Sequence, residues 1–416
     1  MALIVQKFGG TSVGDPDRMK AVAEHIAFTQ SHGNDVVVAV SAMGKATDNL
    51  IALANSVSRT QPGRELDMLL TTGERVSASL LTMALSDLGV DAVSFTGSQV
   101  GIITDTAHGK AKIVEVRGDR VREAVAAGKV CVVAGFQGVS TDREITTLGR
   151  GGTDTTAVAL AAALGADACE IYTDVTGVFS ADPRIVPLAR KLARVHFDEM
   201  LEMAGAGSKV LALRSVEFAR NHNVPIHVRS SFTWEQGTWV NFEEPGMEDP
   251  IISGVVTDAN DAKVTVLGVP DQPGVSAALF EPLAAHHVVV DMIVQNTSTE
   301  GHTDISFTVP KADMTVSEHI VGQVAIEIGA KGVTHDADIA KVSIVGAGMK
   351  TSPGIAAKMF RTLADEDINI EMISTSTIRI SVVVALTDLE RAARSLHTAF
   401  GLDGGQGYSG PLPDRR

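Results

Sequence analysis

Residues 146–156 read Thr146-Thr147-Leu148-Gly149-Arg150-Gly151-Gly152-Thr153-Asp154-Thr155-Thr156, a turn running into a helix in a form suited to holding an anion. Gly149, Gly151 and Gly152 let the backbone turn sharply and bring its N–H groups close to a ligand that a Cβ would obstruct. Thr153 or Asp154 is expected to cap an Ala-rich helix over 155–164, whose first-turn amides and dipole favour negative charge. Arg150 adds a planar fork suited to a carboxylate or phosphate. Taken alone, the same residues also describe a glycine-rich connection into a well-capped helix. The weight therefore falls on what surrounds them.

Upstream, a short apolar run at 2–6 leads into Lys7, Phe8, Gly9 and Gly10, a strand followed by a flexible loop. Asp15 is placed to cap a helix with Pro16 at its first position, and Met19, Val22, Ala23, Ile26 and Ala27 recur at helical spacing. Apolar runs at 36–40, 92–95, 130–134, 170–172 and 226–228 read as strands; 50–57, 76–88, 120–127 and 210–221 read as helices. Unbroken Val-rich strands alternating with helices predict an α/β domain over 1–245, its largely parallel sheet sandwiched by helices.

Residues 246–262 then read as a linker, with Glu243, Glu244, Pro245 and Gly246 supplying turn chemistry. Beyond it the chain repeats itself. KVTVLG at 263–268 matches KVSIVG at 341–346, Pro273 and Gly274 match Pro353 and Gly354, Phe280 and Leu283 match Phe360 and Leu363, and DISFTV at 304–309 echoes RISVVV at 379–384. Asp291, Met292 and Ile293 likewise match Glu371, Met372 and Ile373. Each copy has the order of a βαββαβ, ferredoxin-like unit, over 263–337 and 338–408, and the two are expected to pack sheet edge to sheet edge. Residues 409–416 are expected to form a tail. Adjacent His286 and His287 fall where the second copy has Glu366 and Asp367, and read as solvated turn residues.

Composition excludes several functions. A net charge of −15 over 416 residues argues against nucleic-acid or anionic-membrane partners. Cys131 and Cys169 form no framework and read as buried thiols in a reducing compartment. With no apolar run of membrane-spanning length, a soluble cytoplasmic protein is expected. Gly-Lys pairs at 44–45, 109–110 and 128–129 are followed by Ala or Val, so no P-loop occurs, and no Gly-x-Gly-x-x-Gly follows the first strand.

What remains is a set of polar clusters at strand ends and helix starts, where open α/β sheets place ligands: Lys7 with Gly9 and Gly10, Ser41 to Gly44 with Thr47, Thr72 to Glu74, the 149–154 turn, Thr173 with Asp174, and 179–184 with Lys209. KFGGTS (7–12), SAMG (41–44), TGER (72–75), GRGGTD (149–154), YTDV (172–175) and ADPR (181–184), in that order, closely resemble the motifs of bacterial aspartate kinase, a family that joins an amino-acid-kinase fold to tandem ACT domains. The family commonly has Ser where this chain has Thr153 and Tyr where it has Phe179.

That resemblance implies transfer of a phosphoryl group from ATP, with Mg²⁺, to the β-carboxylate of L-aspartate. A carboxylate with a pKa of about 4 is already ionised at neutral pH, so no general base is needed; catalysis rests on positioning and on charge aimed at the transferring group. It implies Lys7 and Asp154 as catalytic residues, with Lys7, Gly9 and Gly10 at the phosphoryl group. Ser41, Thr47, Glu74, Arg150, Gly151, Gly152 and Thr153 would bind aspartate. Thr173, Asp174, Phe179, Asp182, Arg184 and Lys209 would form the nucleotide pocket, with no protein ligand named for Mg²⁺. Lysine and/or threonine would bind the repeats at Asp271, Pro273, Gly274, Val275, Ile293, Gln295 and Asn296 in one copy, and at Pro353, Gly354, Asn369, Ile370, Ser374 and Thr375 in the other. A homo-oligomer through the ACT domains is expected, and Met247 is a candidate internal start for a shorter regulatory subunit. Another amino-acid kinase acting on glutamate or acetylglutamate, and a non-catalytic amino-acid sensor, are the alternatives.

Overall fold

The computed structural model describes residues 1–242, 251–296 and 301–404. Met247, the whole of the 243–250 turn and the 409–416 tail lie outside them. Alternation within the second strand, Asp35–Val40, shows how the first domain is built: Val36, Val38 and Val40 face one apolar core, while Val37 and Ala39 face another. A strand buried on both faces requires cover on both. The Pro16–Ser31 and Thr72–Asp87 helices supply one layer; Gly152–Leu164, Leu213–His222 and Asp119–Ala126 supply the other.

Eight strands form this sheet, in the order Arg194–His196, Thr238–Asn241, Ile226–Ser230, Ala168–Thr173, Leu3–Phe8, Asp35–Val40, Val130–Ala134, Ala92–Phe95. All neighbours pair in parallel except Ile226–Ser230 with Thr238–Asn241. The largely parallel, helix-covered sheet is thus present, and the parallel strands direct their C-terminal ends to one edge. Asp15 caps the first helix, accepting the Arg18 N–H at 2.9 Å, with Pro16 at its first position. A smaller four-stranded sheet, Ile113–Val116, Ile102–Thr104, Gln137–Ser140 and Ile145–Thr147, was not foreseen. Its last strand delivers the chain into the glycine turn.

The first repeat folds as expected, and the second departs from expectation in one strand. The first unit is a complete βαββαβ whose sheet runs Ile293–Gln295, His302–Pro310, Asp261–Pro270, Gly332–Asp336. The second takes its fourth strand from upstream: Gly254–Asp258, inside the stretch expected to be linker, pairs antiparallel with Ile339–Val345. The first unit is therefore inserted into the second. Three buried positions in five residues, Gly254 to Val256, had too little length for a periodicity to register. The repeat extends to backbone detail, since His287 (φ 61°) and Asp367 (φ 53°) are both left-handed at matching positions.

Among the described residues the expected edge-to-edge pairing does not occur. The two sheets remain separate and meet through Met292, Ile339, Met372 and Val383. Ion pairs cross the seam in a reciprocal pattern, Lys263 to Glu371 and Lys341 to Asp291. Desolvated side chains close this junction, and each sheet keeps an outer strand edge.

Candidate active site

The glycine turn closes more tightly than its sequence implied. Gly151, at φ 73°, is itself the N-cap of the Gly152–Leu164 helix, so neither Thr153 nor Asp154 caps it. Left-handed residues at Gly149 and Gly151 start the helix three residues early, and Gly152 N–H returns to Gly149 O at 2.9 Å. A Cβ on Gly151 would lie 2.5 Å from the Ala212 Cβ, so only glycine fits. This early start frees the two side chains for other partners. Thr153 accepts a hydrogen bond from Ser41 Oγ at 3.0 Å, and Asp154 Oδ1 stands 2.5 Å from Lys7 Nζ.

Lys7, Ser41, Thr173 and Ser230 lie at C-terminal ends of adjacent parallel strands, which is why residues far apart in sequence converge at the helix start. Close backbone approach holds the Gly9–Gly10 loop against the 41–44 loop: Gly44 N–H donates to Gly10 O at 3.0 Å, and a Cβ on Gly10 would lie 2.9 Å from Ala42 O. Glu74, in the first turn of its helix, is 3% exposed. Its Oε1 accepts the Ala42 N–H at 3.3 Å, and its Oε2 is buried with no hydrogen-bond partner among the described residues. Burial pushes its carboxyl up to about 7, against the pull of backbone hydrogen bonds. Thr47 is half-buried in the first turn of the Ala46–Val57 helix, and Arg150 is exposed on the glycine turn.

A second group gathers beside the first. Thr173 Oγ1 donates to Asp174 at 3.0 Å; Arg184 grips Asp182 through Nε at 2.9 Å and through a second guanidinium nitrogen at 2.6 Å. Burial raises the Asp182 carboxyl, but hydrogen bonds from Arg184 and the nearby Lys209 charge outweigh it and hold the group below its usual range. Asp174 acts in turn on Arg184. The Phe179 side chain instead packs against the core of the second repeat.

Two residues that build the site escaped the sequence reading. Asp67, 1% exposed, accepts from Thr147 Oγ1 at 2.5 Å and from the Gly109 N–H at 3.1 Å, and contacts His108 Nδ1 at 2.7 Å. Arg214 donates to Leu148 O at 3.0 Å and to Ala111 O at 2.9 Å. Together they tie down both sides of the glycine turn. Their partners are backbone atoms and the distant side chains of Thr147 and His108, which leave no motif. Under the sheet, Glu170 accepts from Gln6, Tyr172 and Arg229. Burial pushes Glu170 up, yet His227, Gln6 and Arg229 hold it at about 2. Cys131 and Cys169 are free and buried, with burial raising both thiols.

In the repeats, Gly274 (φ 95°) and Gly354 (φ 91°) cap the first helices, placing Asp271, Pro273, Val275 and Pro353 around matching exposed loops. Gln295 Oε1 accepts from Ser276 Oγ at 3.3 Å, which joins loop and strand end in the first unit; Ile293 and Asn296 flank it. In the second, Ser374 and Thr375 end the Met372–Thr375 strand, with Asn369 and Ile370 leading into it. The next residue, Ser376, donates to Glu202 of the first domain at 2.8 Å, and Arg379 pairs with the same carboxylate at 3.2 Å.

Comparison with known proteins agrees with this architecture. Residues 2–230 match the amino acid kinase family, and residues 264–320 and 342–400 match an ACT domain. The chain is 53% identical over 409 residues to an aspartokinase of Corynebacterium efficiens, covering 97% of each. Its fold superimposes on E. coli aspartokinase III in complex with aspartate and ADP (R-state), with TM-score 0.80, 25% identity, and coverage of 95% of this chain and 99% of that one. The same protein in complex with lysine and aspartate (T-state) matches with TM-score 0.73, 26% identity, and coverage of 96% and 99%. A glycine turn at a helix start, a lysine and a serine brought to it by neighbouring parallel strands, and paired ACT units behind them are together the build of one family, and this chain belongs to it: it is an aspartokinase of the amino acid kinase family.

Proposed function

We infer that the protein transfers the γ-phosphoryl group of ATP to the β-carboxylate of L-aspartate, giving 4-phospho-L-aspartate and ADP, the entry to lysine, threonine, methionine and diaminopimelate biosynthesis. The observation that carries this reading is the convergence of Lys7, Asp154, Ser41 and Thr153 on the N-terminus of one helix, with Glu74 bound to the Ala42 N–H beside Ser41. In this reading Lys7 and the Gly9 and Gly10 amides meet charge developing on the transferring group, while Asp154 holds the lysine in place. Arg150 takes the substrate's α-carboxylate, with Ser41, Thr47, Gly151, Gly152 and Thr153 supplying hydrogen bonds. Glu74, whose second oxygen lacks a partner, takes the α-ammonium.

Thr173, Asp174, Asp182, Arg184 and Lys209 hold the nucleotide, Phe179 serving as a prop for that loop. Mg²⁺ enters on the nucleotide phosphates and offsets their charge; among the described residues no group of three or more His, Cys, Asp or Glu side chains is gathered to hold an ion by itself. Lysine and/or threonine bind the ACT loops and strand ends and favour a less active arrangement. The lysine complex of the E. coli relative supports this, as does the contact of Ser376 and Arg379 with Glu202. Exposed Ile293 and Ile373, at matching places on outer strands, suit association of copies through these units. No helix among the described residues is long and apolar enough to cross a membrane, and we place the enzyme in the cytoplasm.

The test is ADP release from ATP and aspartate, measured across millimolar lysine and threonine, separately and together. Aspartate-dependent release that falls with at least one effector supports the reading. Release indifferent to aspartate removes the catalytic assignment, and release indifferent to every effector combination removes the regulatory one.

A further inference from the structure

The loop that follows the Ala168–Thr173 strand is folded onto the last helix of the second ACT unit, Leu389–Ala399. Ala181, Val186 and Ala189 share an apolar cluster with Ala392, Ala393 and Leu396. Arg394 Nε donates to Ile185 O at 2.7 Å. Between these contacts lies a buried relay: Ser180 Oγ is 2.8 Å from His397 Nε2, and His397 Nδ1 is 2.6 Å from Asp403 Oδ1. Ser180 and His397 are both 0% exposed.

Hydrogen-bond chemistry assigns the protons. A carboxylate only accepts, so Nδ1 of His397 donates to Asp403; in the neutral ring Nε2 then accepts, and the Ser180 hydroxyl donates to it. Ser180 Oγ in turn accepts the Arg190 N–H at 3.0 Å, leaving every donor with an acceptor. Burial lowers the His397 pKa, with Asp403 opposing and Arg190 assisting, in keeping with that neutral ring. The order Ser-His-Asp is that of a hydrolytic triad, but an enclosed Ser180 admits no acyl group. The arrangement holds a loop.

Ser180 stands between Phe179 and the turn in which Ile185 and Val186 donate to Asp182 O. Fixing Ser180 therefore fixes the backbone that presents Asp182 and Arg184. We propose that His397, oriented by Asp403, is a positioning residue for nucleotide binding: acting through Ser180, it makes the shape of the nucleotide pocket depend on a residue of the second ACT unit. This rests on the reading of that loop as the nucleotide site. Nucleotide binding and the seating of the ACT unit then strengthen each other by linkage.

The test is calorimetric titration of ADP into the full chain carrying Ser180→Ala, His397→Leu, both, His397→Gln, or Arg184→Ala. Ser180→Ala and His397→Leu should each weaken ADP about tenfold, the scale of one buried hydrogen bond. The double variant should be no weaker than the poorer single, because both break the same contact. His397→Gln, whose amide oxygen can accept the Ser180 O–H, should regain most of the affinity, and KM for aspartate and kcat should stay within about twofold in the Ser180 and His397 variants. Ser180→Ala, a loss of one oxygen, carries the test if His397→Leu does not fold. ADP affinity kept in Ser180→Ala but lost in Arg184→Ala overturns the positioning role alone. Affinity kept in both removes the nucleotide assignment and the proposal with it. Additive losses in the double variant, or parallel losses in kcat and aspartate KM, mean general loosening and also overturn it.

Discussion

Lys7 Nζ lies 2.5 Å from Asp154 Oδ1, a contact between the end of the first strand and the first turn of the Gly152–Leu164 helix. Both side chains are largely covered, at 12% and 13% exposure, so neither charge is dispersed into water. The pair sets the lysine at the helix N-terminus before any ligand arrives. If Lys7 acts on charge that develops during transfer, Lys7→Ala should lower kcat by at least about a hundredfold. Steady-state kinetics beside a circular dichroism check of folding would show it; an unchanged kcat removes Lys7 from the chemistry.

Glu74 gives the proposed aspartate site a pH signature. With its carboxyl raised to about 7 by burial, the free enzyme holds a proton there that an approaching ammonium should expel. Aspartate binding at about pH 6 should therefore release a fraction of a proton, and much less at about pH 8. Calorimetry in two buffers of different ionisation enthalpy reads this directly. The same shift has a stability sign: the unfolded carboxyl ionises first, so the contribution of Glu74 is complete below the ordinary carboxylate pKa and lost as pH rises to about 7. Glu74→Gln should abolish both effects and raise the aspartate KM. Equal binding heats in the two buffers at the lower pH would contradict the assignment.

Arg214 tests whether the glycine turn is held from outside. Its two hydrogen bonds end on Leu148 O, which leads into the turn, and on Ala111 O, and neither partner belongs to the proposed nucleotide pocket. Arg214→Met keeps most of the apolar stem and removes the fork. We expect aspartate KM to rise about tenfold while ADP affinity holds, since a charge-assisted hydrogen bond contributes roughly 1.5–3 kcal/mol. A KM unchanged within error would show that the turn keeps its shape unaided.

Lys341 should be needed for the junction of the two ACT units. At 3% exposure it lies 2.5 Å from Asp291 and 3.0 Å from Asp261; burial disfavours its charge, but the two carboxylates outweigh that and raise its pKa. Lys341→Met leaves Asp261, 13% exposed, and the neighbouring Asp291 facing each other without a cation. The cost should be about 3–5 kcal/mol, as for other broken buried pairs. Urea denaturation should show it as a lowered midpoint. Indifference would mean the apolar Met292–Met372 contact suffices.

Where side-chain pattern decides structure, the sequence was informative. Val36 to Val40 could only be a strand covered on both faces, and the matched Pro-Gly loops announced a repeated unit. Where one short strand or one backbone atom decides, it was not. Gly254–Asp258 belongs to a sheet whose other strands begin more than eighty residues later, and nothing local says so. The helix cap was misplaced by two or three residues because Gly151 takes the cap position in a left-handed conformation, while Thr153 and Asp154 carry the side chains that usually mark a cap. The proposed site could be picked out because its members fall in short polar motifs at strand ends and helix starts; Arg214 and Asp67, which brace it from outside any such motif, could not.

The most direct measurement of the central claim is product identity. Purified protein is incubated with ATP, Mg²⁺ and hydroxylamine, with either aspartate or glutamate, and the acyl hydroxamate is identified by mass spectrometry. An acyl phosphate at the β-carboxylate predicts aspartyl β-hydroxamate with stoichiometric ADP, and no hydroxamate from glutamate. A glutamyl hydroxamate, or ADP formed from aspartate without any hydroxamate, would contradict the account.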